Sequence, residues 1–287
     1  MMDGDELWVS TFSKGIQVID TRTWKVVRQY DTNHPQDRRL FSNYVFALEK
    51  TSMGRIYIGT MHGLQYYNDD EDNFGYVPQI NGGKMVNDIK EDSSGNLWVG
   101  TVSNGLYVMG NDGRWKQYIH HPEDESSLPS NNVISVFEDS RKRIWVTTEG
   151  AGFCRFDDGK FTDFTSVDGM PSDVVYQIVE DEYGNFWIST NKGLVLFDAD
   201  RCRVSRIYTT ENGLLCNQFN YKSGYRAPDG TIYFGSIEGL VAFRPDVLLD
   251  KVDKSLPPIY ITGFSLLDGD MRVGDSGCPL QKDISCT

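Results

Sequence analysis

Short apolar runs separated by glycine-bearing polar turns fill the chain, with no 3.6-residue stripe long enough to compete. Six segments share one order: Leu7-Trp8-Val9-Ser10-Thr11, Ile56-Tyr57-Ile58-Gly59-Thr60, Leu97-Trp98-Val99-Gly100-Thr101, Ile144-Trp145-Val146-Thr147-Thr148, Phe186-Trp187-Ile188-Ser189-Thr190 and Ile232-Tyr233-Phe234-Gly235-Ser236. Their central aromatics are anchors spaced 49, 41, 47, 42 and 46 residues apart. A glycine follows each anchor by six or seven positions (Gly15, Gly63, Gly105, Gly152, Gly193, Gly239), and an apolar residue follows each glycine. Another apolar run precedes four anchors, as in Val133-Ile134-Ser135-Val136-Phe137, and an alternating aromatic run trails five of them, as in Phe161 to Phe164. One unit therefore reads strand, glycine turn, strand, glycine turn, strand, loop, strand. Four strands every ~45 residues is the arithmetic of a propeller blade. A sandwich does not repeat one motif six times.

The first anchor is residue 8, which leaves no room for a full preceding strand, so the first blade is expected to lack its innermost strand. After the sixth anchor a third strand ends near Pro245, Asp246 to Leu256 reads as a charged linker, and Pro257 to Leu267 reads as a strand of different pattern. The expected division is a propeller over 1–248 and a linker with the start of a second domain over 249–287. Either the partial ring closes or it exposes two apolar faces; the pattern leaves both open.

Charge narrows the partners. With 28 Lys+Arg against 41 Asp+Glu the net charge is −13, which argues against a binder of nucleic acid or anionic membrane, since either needs a net basic face. No stretch approaches the ~18 apolar residues of a membrane span, and no leader pattern opens the chain. Cys154, Cys202, Cys216, Cys278 and Cys286 form no CxxC pair, and their odd number is a poor disulfide framework. Cys154 reads as a small core residue, and the pairing of Cys278 and Cys286 stays open.

No catalytic motif occurs, and no cofactor or metal is called for. His120-His121 reads as a solvated loop, and Asp92, Asp139 and Asp181, six before their anchors, read as turn acceptors. In a propeller, the loops entering the innermost strands and the hairpins between second and third strands open on one end of the channel. Asn43, Asn131, Asp173 and Asn217 in those entering loops, with Tyr44 and His62 as stacking faces, are the candidate ligand-binding residues.

The run Asp92 to Thr101 with Asn104-Gly105-Leu106-Tyr107, and Glu180 to Thr190 with Lys192-Gly193-Leu194, resemble the two-component regulator propeller repeat. Asn217 to Pro245 is similar to that family's last blade, and Pro257 to Val273 resembles the opening of its Y_Y_Y domain, a β-sandwich. The resemblance implies a β-propeller that is part of a seven-bladed ring. It further implies the periplasmic sensor region of a hybrid histidine kinase and response regulator, dimeric, binding an oligosaccharide and controlling polysaccharide-utilisation genes. The alternatives are a propeller enzyme of lyase or glycosidase kind, or an interaction scaffold.

Overall fold

The apolar runs marked by the repeat pair antiparallel into successive sheets, each wound from the channel outward. The computed structural model describes residues 1–35, 38–250, 264–266 and 269–271. Among them, blade 1 comprises Met2–Asp3, Glu6–Ser10, Ile16–Asp20 and Lys25–Tyr30. Blade 2 comprises Val45–Lys50, Ile56–Thr60, Gly63–Asn68 and Asn73–Tyr76. Blade 3 has Val86–Glu91, Leu97–Thr101, Leu106–Met109 and Trp115–Tyr118, and blade 4 has Val133–Glu138, Ile144–Thr148, Phe153–Asp157 and Lys160–Phe164. Blade 5 has Val175–Glu180, Asn185–Thr190, Gly193–Asp198 and Arg203–Tyr208, and the three-stranded blade 6 has Phe219–Arg226, Ile232–Ser236 and Gly239–Phe243. The architecture is an all-β propeller. The innermost strand of blade 1 is not wholly missing, as the sequence led one to expect: Met2–Asp3 pairs with Glu6 and Leu7 as a two-residue stub.

Three recurring contacts explain the repeat. The Thr or Ser that ends each five-residue anchor segment donates its hydroxyl to the glycine carbonyl across the hairpin, as Thr101 to Gly105 at 2.6 Å and Thr148 to Gly152 at 2.9 Å. That glycine has no substitute: at Gly152 φ is +67° and an added Cβ would lie 2.1 Å from the Phe164 carbonyl oxygen. Each of Asp92, Asp139 and Asp181 accepts two backbone N–H groups of its turn through Oδ1. Through Oδ2 each also accepts the anchor indole N–H, at 2.7, 2.9 and 3.0 Å from Trp98, Trp145 and Trp187. Buried indoles need such a partner. Trp8 has no aspartate six residues before it, and its buried Nε1 has no hydrogen-bond partner among the described residues.

Neighbouring blades are stapled at the opposite end from the glycine hairpins. Ser52, Ser93 and Ser140 each give their backbone N–H and hydroxyl to both oxygens of Glu91, Glu138 and Glu180 on the next blade. Between blades the anchors and their neighbours form continuous apolar clusters, such as Trp145, Phe153, Phe164, Phe186 and Phe197. Cys154 is fully buried, and desolvation pushes its thiol pKa up.

The chain divides into two units, Met1–Pro245 and Asp246–Thr287. A short helix, Pro245–Asp250, occupies the start of the segment that reads as linker; proline at its first position and Asp246 in its first turn suit a helix start. Further on, Phe264–Leu266 pairs with Gly269–Met271. The remainder of the segment resembling the Y_Y_Y domain, with Cys278 and Cys286, lies outside the described residues.

Candidate ligand site at the channel mouth

The innermost strands do not run straight into the channel. In blades 2 to 5 the pairing register slips near the start of the innermost strand, leaving Phe46, Asn87, Ile134 and Tyr176 without an opposite residue. Such a bulge re-aims a side chain. Phe46, Asn87 and Ile134 all line a channel-mouth cavity of about 570 Å³. In blade 6 the slip is larger: Phe219 opposes Ser236 and Gly224 opposes Phe234, so residues 220–223 loop out. That loop brings Tyr221 and Lys222 into the cavity, with Lys222 at φ +50°. A non-glycine residue held in the left-handed region marks a backbone constrained by its surroundings.

Lys222 is a cross-channel clasp. Its ammonium donates to the carbonyl oxygens of Asn87 at 2.8 Å and Phe46 at 3.3 Å, and pairs with Asp88 Oδ1 at 2.6 Å. Asp88 Oδ2 in turn accepts the Val136 backbone N–H at 2.8 Å. One side chain thus joins blade 6 to blades 2 and 3, and through Asp88 to blade 4. Opposite in character, the Tyr221 hydroxyl donates to the Glu149 carboxylate at 3.0 Å, and the Tyr221 ring lies 4.5 Å from that of Tyr176. Burial, and after it the bond to Glu149, pushes the Tyr221 phenol up to about 12.

The hairpins between second and third strands contribute as well. Phe12, Val102 and Glu149, each four residues after its anchor, line the same cavity. Phe12 is 72% exposed and meets Tyr44 and Phe46 edge-on at 5.2 and 6.0 Å.

The six sequence candidates take different places. Asn43, Asn131 and Asn217 use Oδ1 to accept the N–H of Thr32, His120 and Thr210, each at 2.8 Å. Asp173 accepts the Ser166 N–H at 2.6 Å and its hydroxyl at 3.0 Å. The backbone carbonyls of the same four residues accept the N–H of the hairpin glycines Gly15, Gly105, Gly152 and Gly193 on the preceding blade. The four are thus equivalent latches between blades, fixing the rim loops. Tyr44 is exposed beside Phe12 at the rim. His62 is set apart, its Nδ1 3.1 Å from the Phe41 carbonyl oxygen, in a shallower cavity with Asn81, Gly82 and Gly83.

Sequence reasoning missed Phe12, Phe46, Glu149, Tyr221 and Lys222. Two signals were present. The position four after the anchor changes character around the ring (Phe12, Met61, Val102, Glu149, Asn191, Ile237), as a position fixed by packing would not. The innermost run of blade 6, Asn220-Tyr221-Lys222-Ser223-Gly224, is polar where its counterparts are apolar.

Comparison with known proteins agrees with this architecture. Residues 80–103, 127–150 and 169–192 match the two component regulator propeller family. Over 301 residues the chain is 30% identical to Histidine kinase P4 of Formosa agariphila, covering 99% of this chain and 21% of that protein. It thus spans about a fifth of the length of that curated relative. The extracellular domain of a hybrid two component system from B. thetaiotaomicron superposes with a TM-score of 0.62 at 24% identity, over 99% of this chain and 43% of that one. PorZ, a surface component of the type-IX secretion system of Porphyromonas gingivalis, superposes with a TM-score of 0.66 at 16% identity, over 84% of this chain and 37% of that one. By its blades and by these matches, the chain is a β-propeller that carries two component regulator propeller repeats.

Proposed function

We propose that the chain is the ligand-sensing part of the periplasmic region of a hybrid two-component histidine kinase. The ligand is an oligosaccharide, bound without turnover, and its arrival changes how two copies of the parent protein pack. In the parent protein this controls polysaccharide-utilisation genes. The observation that carries the reading is the aromatic-walled cavity at the channel mouth, which draws on five blades at once. A ligand seated there touches blades 1, 2, 3, 4 and 6 together, so occupancy bears on how the blades stand against one another. Sensing requires that the ligand prefer one arrangement over another. Tyr44 and His62 offer further stacking faces at the rim, and Asn43, Asn131, Asp173 and Asn217 act by holding the loops that shape it.

Calorimetric titration of the chain with a panel of neutral, basic and acidic oligosaccharides tests this. Saturable binding by one of them, weakened about tenfold by Phe12→Ala, is expected. Absence of binding across the panel overturns the carbohydrate reading, and release of shortened product places the chain among propeller enzymes instead.

A further inference from the structure

The charges that line the channel-mouth cavity are unequal in what they leave available. Lys222 has three donors, and three oxygens already meet them: the carbonyls of Phe46 and Asn87, and Asp88 Oδ1. Asp88 cancels its charge from within hydrogen-bonding distance. Nothing of this lysine is left over for an anionic ligand. Glu149 is the other charged residue of the lining; its carboxylate holds the Tyr221 hydroxyl, and no cation among the described residues pairs with it. The cavity therefore carries one uncompensated negative charge among the rings of Phe12, Phe46 and Tyr221. Ring faces attract cations, and a carboxylate beside them strengthens the attraction. The charge of −13 on the whole chain repels anions before they arrive.

We propose that this cavity selects a ligand carrying a protonated amine on a ring scaffold. Within the oligosaccharide reading above, on which this inference rests, the ligand is an amino sugar rather than a uronate or a sulfated glycan. The amine sits at Glu149, and the apolar face of the sugar ring lies against Phe12 and Phe46. Lys222 acts as the clasp that sets the cavity, not as the ligand's counter-ion.

Two matched probe sets test this by calorimetry on the whole chain. Benzylamine, benzyl alcohol and benzoate present one ring with positive, neutral and negative substituents. The tetramer of glucosamine, its fully N-acetylated form and a galacturonate tetramer do the same on a sugar. The amine of each set is expected to bind about tenfold more tightly than its neutral counterpart, with the acid weakest. Glu149→Gln, at an exposed hairpin position, is expected to bring the amine of each set down to the affinity of its neutral counterpart, erasing that preference. Amine preference among the benzyl probes with no sugar bound supports the charge selection and defeats the carbohydrate reading. Sugars bound with equal affinity, or the acids bound most tightly, overturn the inference and leave that reading standing. No binding in either set overturns both.

Discussion

Blades 2 to 5 and the two terminal blades carry the same motif but bury it differently. In blades 2, 3 and 4 all five residues of the anchor strand are buried, and in blade 5 only Asn185 at its start is not. In blade 1 only Trp8 of the strand is buried, and in blade 6 every second residue, Ile232, Phe234 and Ser236, is. Among the described residues, an interior blade has a neighbouring blade on each face, and the terminal blades are the less buried ones. The exposed Leu240 and Tyr225 of blade 6, and Val26 and Val27 of blade 1, belong to these less covered sheets. Among the described residues, the terminal sheets thus keep apolar side chains that the interior sheets bury. The dedicated devices follow the same division. The aspartate–indole bonds occur in blades 3, 4 and 5, and the serine–glutamate staples join blades 2 to 3, 3 to 4 and 4 to 5. The interior tryptophans have their buried N–H groups satisfied, whereas the equally buried Trp8 Nε1 of blade 1 has no partner among the described residues.

That contrast breaks first at the tryptophans. Trp145→Ala is expected to cost roughly 3–5 kcal/mol, because the indole is wholly buried between two sheets. Trp145→Phe additionally strips Asp139 of a donor, whereas Trp8→Phe breaks no hydrogen bond and should cost less. Urea unfolding of the two phenylalanine variants decides it, and equal losses would remove the distinction between interior and terminal anchors. A smaller effect is expected at the hairpin glycines. Gly152→Ala combines the left-handed backbone with a collision against Phe164 and should cost about 1–3 kcal/mol. At Gly239 of blade 6 the nearest atom to an added Cβ is 3.7 Å away, on the Leu215 side chain, so only the backbone part is expected there.

The smallest effect concerns the site itself. The Tyr221 phenol, raised by burial and by Glu149, is expected to ionise about pH 12, seen as the difference in tyrosinate absorbance between the native chain and Tyr221→Phe. Its folded value lies above the ordinary 10, so its contribution to stability is complete below that pH and is lost as pH rises through 12. Glu149→Gln should bring the titration part of the way back toward 10, since burial, the larger cause, remains. An unchanged titration would show that the carboxylate does not hold the phenol.

The anchors, the hairpin glycines and their spacing named the blades, because these positions serve contacts inside one repeat or between adjacent copies of it. Thr101 to Gly105 spans four residues and Trp98 to Asp92 spans six, so both recur as local patterns. Asn43, Asn131, Asp173 and Asn217 are legible for the same reason: they are repeated neighbours of the hairpin glycines. The cavity residues escaped because nothing local ties them together. Lys222 meets Asn87 across 135 residues and Phe46 across 176, and Tyr221 meets Glu149 across 72.

The amino-acid order alone set the strand pattern, the radial repeat and the net charge of −13. These follow from periodicity and charge, which need no knowledge of what lies opposite. Tertiary structure alone decided which side chains meet in the channel, since a bulge of one residue re-aims a side chain without altering the apolar pattern. It also decided which charge is left uncancelled there, because Lys222 and Asp88 neutralise each other only when the blades curve round to bring them within 2.6 Å.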